Sequence, residues 1–413
     1  MSQTPEIRKP LLPQLLQVPV IVAALGYLVD MYDLFLFSVV RIPSLRDIGV
    51  AEEDLLTDGI TLLNSQMAGM LIGGVLWGII ADKKGRLSVL FGSIIMYSLA
   101  NIGNGFVTTM DQYAVLRFIA GIGLAGELGA GITLVTEVLP KEIRGYGTTL
   151  VATLGVLGAI LAYFVADMFA WRISYFVGGG MGLLLLVLRF NVFESGMFQH
   201  VKSHSVDRGN IMMILTNARR MTKYLMAILI GLPIWFVVGI LITFSPEIGA
   251  AKGLIGIDAG KAVMLAFTGQ VFGDISSGLI SQWMKSRKKA IILFIGLSLL
   301  MMIGYLTIPM DTAYVFYVFC ALLGFCNGYW TLFITIAAEL FGTNLRATVA
   351  TTVPNFVRGA TIPLAALFVY FKPSLGVIQG ALVVGLATSV VAVIALYFLE
   401  ETFTKDMDYI EKD

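Results

Sequence analysis

The chain has 413 residues, of which 57% are hydrophobic and only 13% charged, with a net charge of +1. Soluble domains carry about 25% charged residues, so a chain this poor in charge cannot cover a water-facing surface, and lipid must be its main solvent. The near-zero net charge gives no bulk attraction for nucleic acid, and Cys320 and Cys326, both in one apolar run, offer no disulfide framework.

The N-terminal stretch MSQTPEIRKPLLPQ is polar and basic without a small-residue cleavage site, and is not read as a signal peptide. Twelve stretches then follow that are apolar over the ~20 residues a spanning helix needs. In chain order, spans 1 to 12 cover 17–40, 58–80, 87–106, 111–137, 146–168, 172–192, 222–246, 258–283, 289–308, 312–340, 347–371 and 375–399. Their many glycines would break helices in water, but in lipid small residues let helices approach closely, as on the face GMLIGGVLWG at 69–78.

With the N-terminus in the cytoplasm, twenty basic residues fall in inside segments and six outside, Arg41, Arg46 and Arg172 among the six and Arg189 among the twenty. That bias predicts both termini inside and an even number of spans. The polar stretch 193–221 divides the spans six and six, giving an N-terminal bundle over 1–192 and a C-terminal bundle with a short tail over 222–413. It holds both histidines, His200 and His204, with no carboxylate or cysteine cluster beside them, so it reads as a linker rather than a metal site.

An internal repeat ties the halves together. EVLPKEIRGYGTT (137–149) aligns with ELFGTNLRATVATT (339–352) at an offset of 202, putting Glu137 on Glu339 and Arg144 on Arg346. GIIADKKGRLSVL (78–90) aligns with GLISQWMKSRKKAI (278–291) near an offset of 200, with Gln282 opposite Asp82. Six spans per half make the repeats parallel.

These motifs resemble the major facilitator superfamily. GIIADKKGR (78–86) is similar to its loop between helices 2 and 3. RFIAGIGLAGELGAG (117–131) with EVLPKEIRG (137–145) is similar to helix 4 and its exit in the sugar-porter and metabolite–proton symporter branch, and LEETFTKDMDYI (399–410) to that branch's tail. The resemblance implies an all-α membrane fold of twelve helices in two bundles, and a cytoplasmic latch between the halves made by Asp82, Gly85, Arg86, Glu137, Arg144, Glu339 and Arg346. Static stabilisation of the fold is the alternative role for those residues.

Ionisable residues deep in the spans carry most information, because they are costly there. Asp30 and Asp33 in span 1 are three apart, on one face about 60° from each other. Burial and mutual repulsion favour the protonated form of at least one, which a proton carrier needs. Asp-Met-Tyr-Asp also resembles the D-G-x-D signature of aromatic-acid–proton symporters, with Met31 in place of the glycine. Arg117 and Glu127 in span 4 lie ten residues apart on different faces and are not expected to pair. Arg117 is expected to meet Asp30 or Asp33 across the bundle, and Glu127 is read as a second protonatable site or a packing acid. Arg358 in span 11 has no acid on its own helix, and a substrate carboxylate is an economical partner. The alternative is a pair with Asp274 of span 8.

Tyr27, Tyr32, Phe35, Trp235, Gln270, Asn327, Tyr329, Trp330 and Asn355 complete the candidate lining, although Trp and Tyr also anchor helices at interfaces. Spans 5 and 7 have none of the glutamines that sugar porters usually carry there. The resulting expectation is a proton-coupled, alternating-access carrier of a small organic anion. Its partners are substrate, protons and lipid, with no cofactor, no metal and no enzymatic activity; it is a monomer in the inner membrane. An organic-cation or drug exporter, a neutral-solute uniporter and, more remotely, a membrane sensor are the rivals.

Overall fold

The computed structural model describes residues 11–140, 143–189 and 211–403. Within them, the side chains of residues 11, 12, 82, 86, 136, 137, 144, 145, 149, 343 and 347 fall outside the description, as do both histidines and most of the linker.

The described chain is helical wherever it is apolar, because backbone groups in lipid must find their partners within the segment. Six helices form the first bundle: α1 (Val18–Asp47), α2 (Leu55–Lys84), α3 (Arg86–Asn104), α4 in two pieces (Met110–Leu124 and Glu127–Val138), α5 (Arg144–Met168) and α6 (Trp171–Arg189). The second bundle begins with α7, which runs as Ala218–Leu229, Leu232–Phe236 and a π-helical stretch Val237–Ile242, with Ser245–Ala251 continuing beyond. The expected linker boundary at 221 therefore falls inside helix. Next come α8 (Ala259–Met284), α9 (Arg287–Thr307) and α10 in two pieces (Ala313–Cys326 and Trp330–Glu339). The last apolar run, Asn344–Phe398, has 55 residues. At 1.5 Å per residue it is far longer than a ~30 Å hydrocarbon core. It turns back at Gly376, whose φ of 79° is left-handed and suits a residue with no Cβ. α11 is thus Thr343–Gly359 with its continuation from Thr361, and α12 follows Gly376 to Phe398. The eleven candidate membrane runs among the described residues accordingly hold twelve spans.

The repeat seen in the sequence reappears as packing. Gly69 and Gly73 of α2 lie on the backbone carbonyls of Phe118 and Ile122 in α4, and Gly121 of α4 on that of Gln66. In the second bundle Gly269 and Gly273 of α8 lie on the carbonyls of Ala321 and Phe325 in α10, and Gly324 on that of Ala266. A methyl at any of these positions would enter a backbone atom, so the glycines set the helix separation. On the other side of α2, Gly74 and Gly78 face Asn355 and Thr352 of α11, and Leu71 covers Gly359. The small-residue face of α2 is therefore part of the joint between the bundles.

Two basic residues counted as loop charges lie elsewhere. α1 runs on to Asp47, so Arg41 sits within it and is fully buried. Arg189 ends α6, is also fully buried, and is ion-paired with Glu127 of α4. Acids distant in sequence compensate both charges, which a hydropathy count cannot detect.

Candidate functional site

A narrow cleft opens where the two bundles meet, at mid-depth. α1 supplies Tyr27, Met31 and Phe35; α7 supplies Ile234, Trp235 and Val238; α8 supplies Phe267 and Gln270; α10 and α11 supply Trp330 and Arg358. The spacing 27, 31, 35 is one helical stripe. Trp330 follows the break in α10 at Asn327–Tyr329, and Trp235 and Val238 flank the start of the π-helical stretch of α7. Irregular backbone at this depth is tolerated where it lines a cavity.

Arg358 is the cleft's cation. It is 1% exposed. Its Nη1 donates to Asn355 Oδ1 at 3.3 Å, while Nε and Nη2 have no hydrogen-bond partner among the described residues. Its guanidinium lies 5.7 Å from the Trp235 ring and 5.8 Å from the Trp330 ring. Asp274 does not neutralise it. The Asp274 carboxylate accepts from the Thr331 backbone N–H at 3.1 Å, at the start of the second α10 piece. Asn355 in turn donates to the Ala125 carbonyl in the other bundle, at 2.8 Å. It therefore holds Arg358 in place from behind rather than walling the cleft.

The aromatic walls touch one another. Phe35 and Trp235 stack with centroids 6.0 Å apart, Phe35 and Phe267 are 4.3 Å apart, and Trp235 meets Trp330 edge-on at 6.4 Å. Trp330 Nε1 donates to the Tyr27 hydroxyl at 3.2 Å, a bond that crosses between bundles. A ligand enters by parting these walls.

Three residues grouped with the lining point elsewhere. Tyr32 donates to the Ser174 carbonyl at 2.8 Å inside the first bundle. Tyr329 donates to the Ile230 carbonyl, and Asn327 accepts from Ser298 and donates to the Ile234 carbonyl, which ties the broken helices α7 and α10 together. A buried hydroxyl or amide must find a partner, and these partners lie behind the cleft wall. Met31, Ile234, Val238 and Phe267 line the cleft without having been expected. Nothing in their residue type separates them from lipid-facing apolar residues; only the stripe with Tyr27 and Phe35 could have singled out Met31.

The acids of α1 flank the cleft rather than face it. Asp30 and Asp33 are both fully buried, and neither carboxylate has a hydrogen-bond partner among the described residues. Asp30 lies in the electrostatic field of Arg358 and Glu127, and Asp33 in that of Arg117 and Asp30. Arg117 donates to Gln66 and Asn101 at 3.3 and 3.0 Å. Glu127 is held by Arg189, which also donates to the Leu90 carbonyl at 2.6 Å.

The bundles are in contact above and below the cleft. At the end away from the termini, Arg41 of α1 reaches Glu247 beyond α7 at 2.7 Å, and the Ser38 and Thr243 hydroxyls are 3.0 Å apart. At the end nearer the termini, Gly129 of α4 lies on Thr351 of α11. Of the expected latch, the side chains of Asp82, Arg86, Glu137 and Arg144 lie outside the described residues. Gly85 joins α2 to α3 with φ 102°. Glu339 meets Arg287 at 3.5 Å and accepts from Thr402 at 2.6 Å, and Arg346 donates to the Ala338 and Phe341 carbonyls.

Comparison with known proteins places this architecture. The chain is 25% identical to the niacin transporter NiaP of Acinetobacter baylyi, over 79% of this chain and 80% of that one. It is 27% identical to the cis,cis-muconate transport protein of the same organism, over 92% and 93%. The benzoate transport protein of that organism is 30% identical over 41% of this chain and 37% of its own. The crystal structure of a D-xylose-proton symporter superposes with a TM-score of 0.72 over 93% of this chain and 98% of that one; at 17% identity it shows the fold alone. Residues 23–366 match the model of the Major Facilitator Superfamily. This multi-pass membrane protein belongs to the Major Facilitator Superfamily of transporters.

Proposed function

We propose that the chain carries a small organic anion, best fitted by a flat aromatic or conjugated carboxylate, in symport with protons. The observation that carries this reading is Arg358. A buried guanidinium with two nitrogens unpartnered among the described residues, set between the faces of Trp235 and Trp330, is a receptor for a carboxylate on a flat body. An organic cation would meet like charge there, and a neutral solute would leave the guanidinium unanswered. The names of the relatives, which concern niacin, muconate and benzoate, point the same way.

In this reading Tyr27, Trp235, Gln270 and Trp330 surround the substrate and Asn355 orients Arg358. Asp30 and Asp33 carry the proton, and Arg117 sets the charge balance beside Asp33. Glu127 supports them through its pair with Arg189. Asp82, Gly85, Arg86, Glu137, Arg144, Glu339 and Arg346 form the latch on the cytoplasmic side. Both termini face the cytoplasm and the membrane is the inner one. The test is uptake of labelled benzoate, nicotinate and muconate into proteoliposomes under an inward proton gradient. Arg358→Ala is expected to abolish uptake and counterflow alike, whereas Asp33→Asn should abolish gradient-driven accumulation and keep counterflow. Wild-type accumulation in both variants would refute the assignment.

A further inference from the structure

The two acids of α1 do not look into the same space. Relative to Met31, at the centre of the stripe that lines the cleft, Asp30 lies about 100° round the helix and Asp33 about 160°. Asp33 therefore faces away from the substrate, into the first bundle, where its carboxylate lies against Gly178 of α6. A proton reaching Asp33 through the substrate cleft would have to pass through α1 itself.

The interior that Asp33 faces is polar. α3 turns Tyr97, Ser98, Asn101 and Asn104 toward it, all fully buried. They form one stripe, rising about 10 Å from mid-depth to the last residue of the helix at the end away from the termini. Neither polar atom of the Asn104 amide has a protein partner among the described residues. The same holds for the Tyr97 and Ser98 hydroxyls, Asn101 Nδ2, Gln66 Nε2 and both Asp33 oxygens. The Asn101 amide adjoins Asp33 without reaching hydrogen-bond geometry, while its oxygen accepts from Arg117. Beside the stripe, Tyr113 of α4 and Tyr175 of α6 share a hydrogen bond of 2.7 Å, and Tyr113 also reaches Ser44 at 3.2 Å. Among the described residues of the second bundle, those in the same condition are Tyr224, Ser245, Thr331, Thr351, Thr361, one nitrogen of Arg287 and two nitrogens of Arg358, spread over several helices rather than along one stripe.

Unpartnered buried polar groups on this scale call for hydrogen-bond partners, and water, both donor and acceptor, can serve the mixed donors and acceptors gathered here. We propose that the first bundle contains a hydrated proton channel, separate from the substrate cleft, which runs along Asn104, Asn101 and Ser98 and delivers protons from the outer face to Asp33. The proton passes between waters as one O–H bond forms and the next breaks, and ends on an Asp33 oxygen. The charged and titratable groups facing Asp33 are Asp30 and Tyr32 on α1, Tyr97 on α3, Arg117 on α4 and Tyr175 on α6. The substrate cleft can then stay shut while Asp33 is loaded.

This inference rests on the proton-coupled reading above, and one experiment separates the two. Asn104→Leu, Asn104→Ser and Asp33→Asn are reconstituted, and benzoate accumulation under a proton gradient is compared with counterflow at equal pH. Asn104→Leu should slow the gradient-driven initial rate by about tenfold, leave counterflow unchanged, and be largely rescued in Asn104→Ser. Unchanged accumulation in Asn104→Leu, or equal loss of accumulation and counterflow, overturns the channel. Should Asn104→Leu not reach the membrane, the double variant Ser98→Ala/Tyr97→Phe, which removes only hydroxyls, carries the same comparison. Accumulation that survives Asp33→Asn would instead sink the proton-coupled reading itself.

Discussion

Glu247→Gln is expected to loosen the joint between the bundles at the end away from the termini, the outer end in the topology proposed above. Arg41 is fully buried and reaches across the joint between bundles, with Nη2 on Glu247 and its face 4.6 Å from the Phe244 ring, while Nη1 donates to the Leu55 carbonyl of its own bundle at 3.1 Å. Breaking a buried ion pair costs about 3–5 kcal/mol. Glu247 is 20% exposed, and water recovers part of that, leaving about 2 kcal/mol. The cost falls only on the closed state, because separation of the bundles hydrates Arg41. The balance between closed and open therefore shifts about thirtyfold. Met31→Cys, in a chain with Cys320 and Cys326 replaced by serine, reports on it through labelling of intact cells by a membrane-impermeant thiol reagent. Glu52→Gln is the control, since its pair with Arg46 is exposed and joins nothing across the bundles. An unchanged labelling rate in Glu247→Gln, or an equal rise in Glu52→Gln, would refute the reasoning.

Glu127→Gln should leave Arg189 buried without its counter-ion and cost about 3 kcal/mol or more, seen as a lower melting temperature in detergent. Gly158→Ala would push a methyl into the Leu28 carbonyl where α5 crosses α1. A loss of roughly 1–3 kcal/mol is expected from such overpacking, readable in the same melts, while Gly180→Ala, with open space around it, should be neutral. Trp330→Phe removes the bond to Tyr27 and should weaken substrate binding severalfold without changing the proton dependence, measured as counterflow half-saturation. Glu401, just past α12, is a pH probe. Burial pushes its carboxyl up, but the Ser286 hydroxyl and the backbone N–H groups of Arg287, Phe403 and Lys288 outweigh that and hold it below its ordinary value. Its stabilising effect is therefore complete at neutral pH and is lost as pH falls below the usual carboxylate range. Melting temperature against pH should show that fall in the wild type and a flatter profile in Glu401→Ala.

The helices were legible because apolar runs of spanning length leave the backbone no other choice, and the repeat was legible because its glycines and loop charges recur. Arg358, Trp235 and Trp330 stood out for the same reason: polar or bulky groups inside apolar runs. Orientation around the helix axis was the harder problem. The three-residue spacing of Asp30 and Asp33 places them near one another, but only the neighbouring helices decide that both turn away from the cleft. The pairs Arg41–Glu247 and Arg189–Glu127 join residues 206 and 62 positions apart. Their basic members sit near predicted span ends, where hydropathy counts them as loop charges. Tyr329 and Asn327 were legible as buried polar residues but not as clamps, since their partners are carbonyls of a helix in another part of the chain.

The guanidinium of Arg358, with two nitrogens unpartnered among the described residues, has a consequence for bookkeeping of charge across the membrane. Arg358 and an ionised Asp30 sit within each other's field and sum to zero. In the proposed cycle, an anionic substrate arriving together with one proton on the Asp30/Asp33 pair again sums to zero. Either addition alone leaves a net charge in a space shut off from water, at a cost of several kcal/mol. The occluded form therefore admits both passengers or neither. If the chain is the proton-coupled anion carrier proposed above, one proton per monovalent anion, no slippage of protons without cargo, and indifference of the overall cycle to membrane voltage are the expected outcomes.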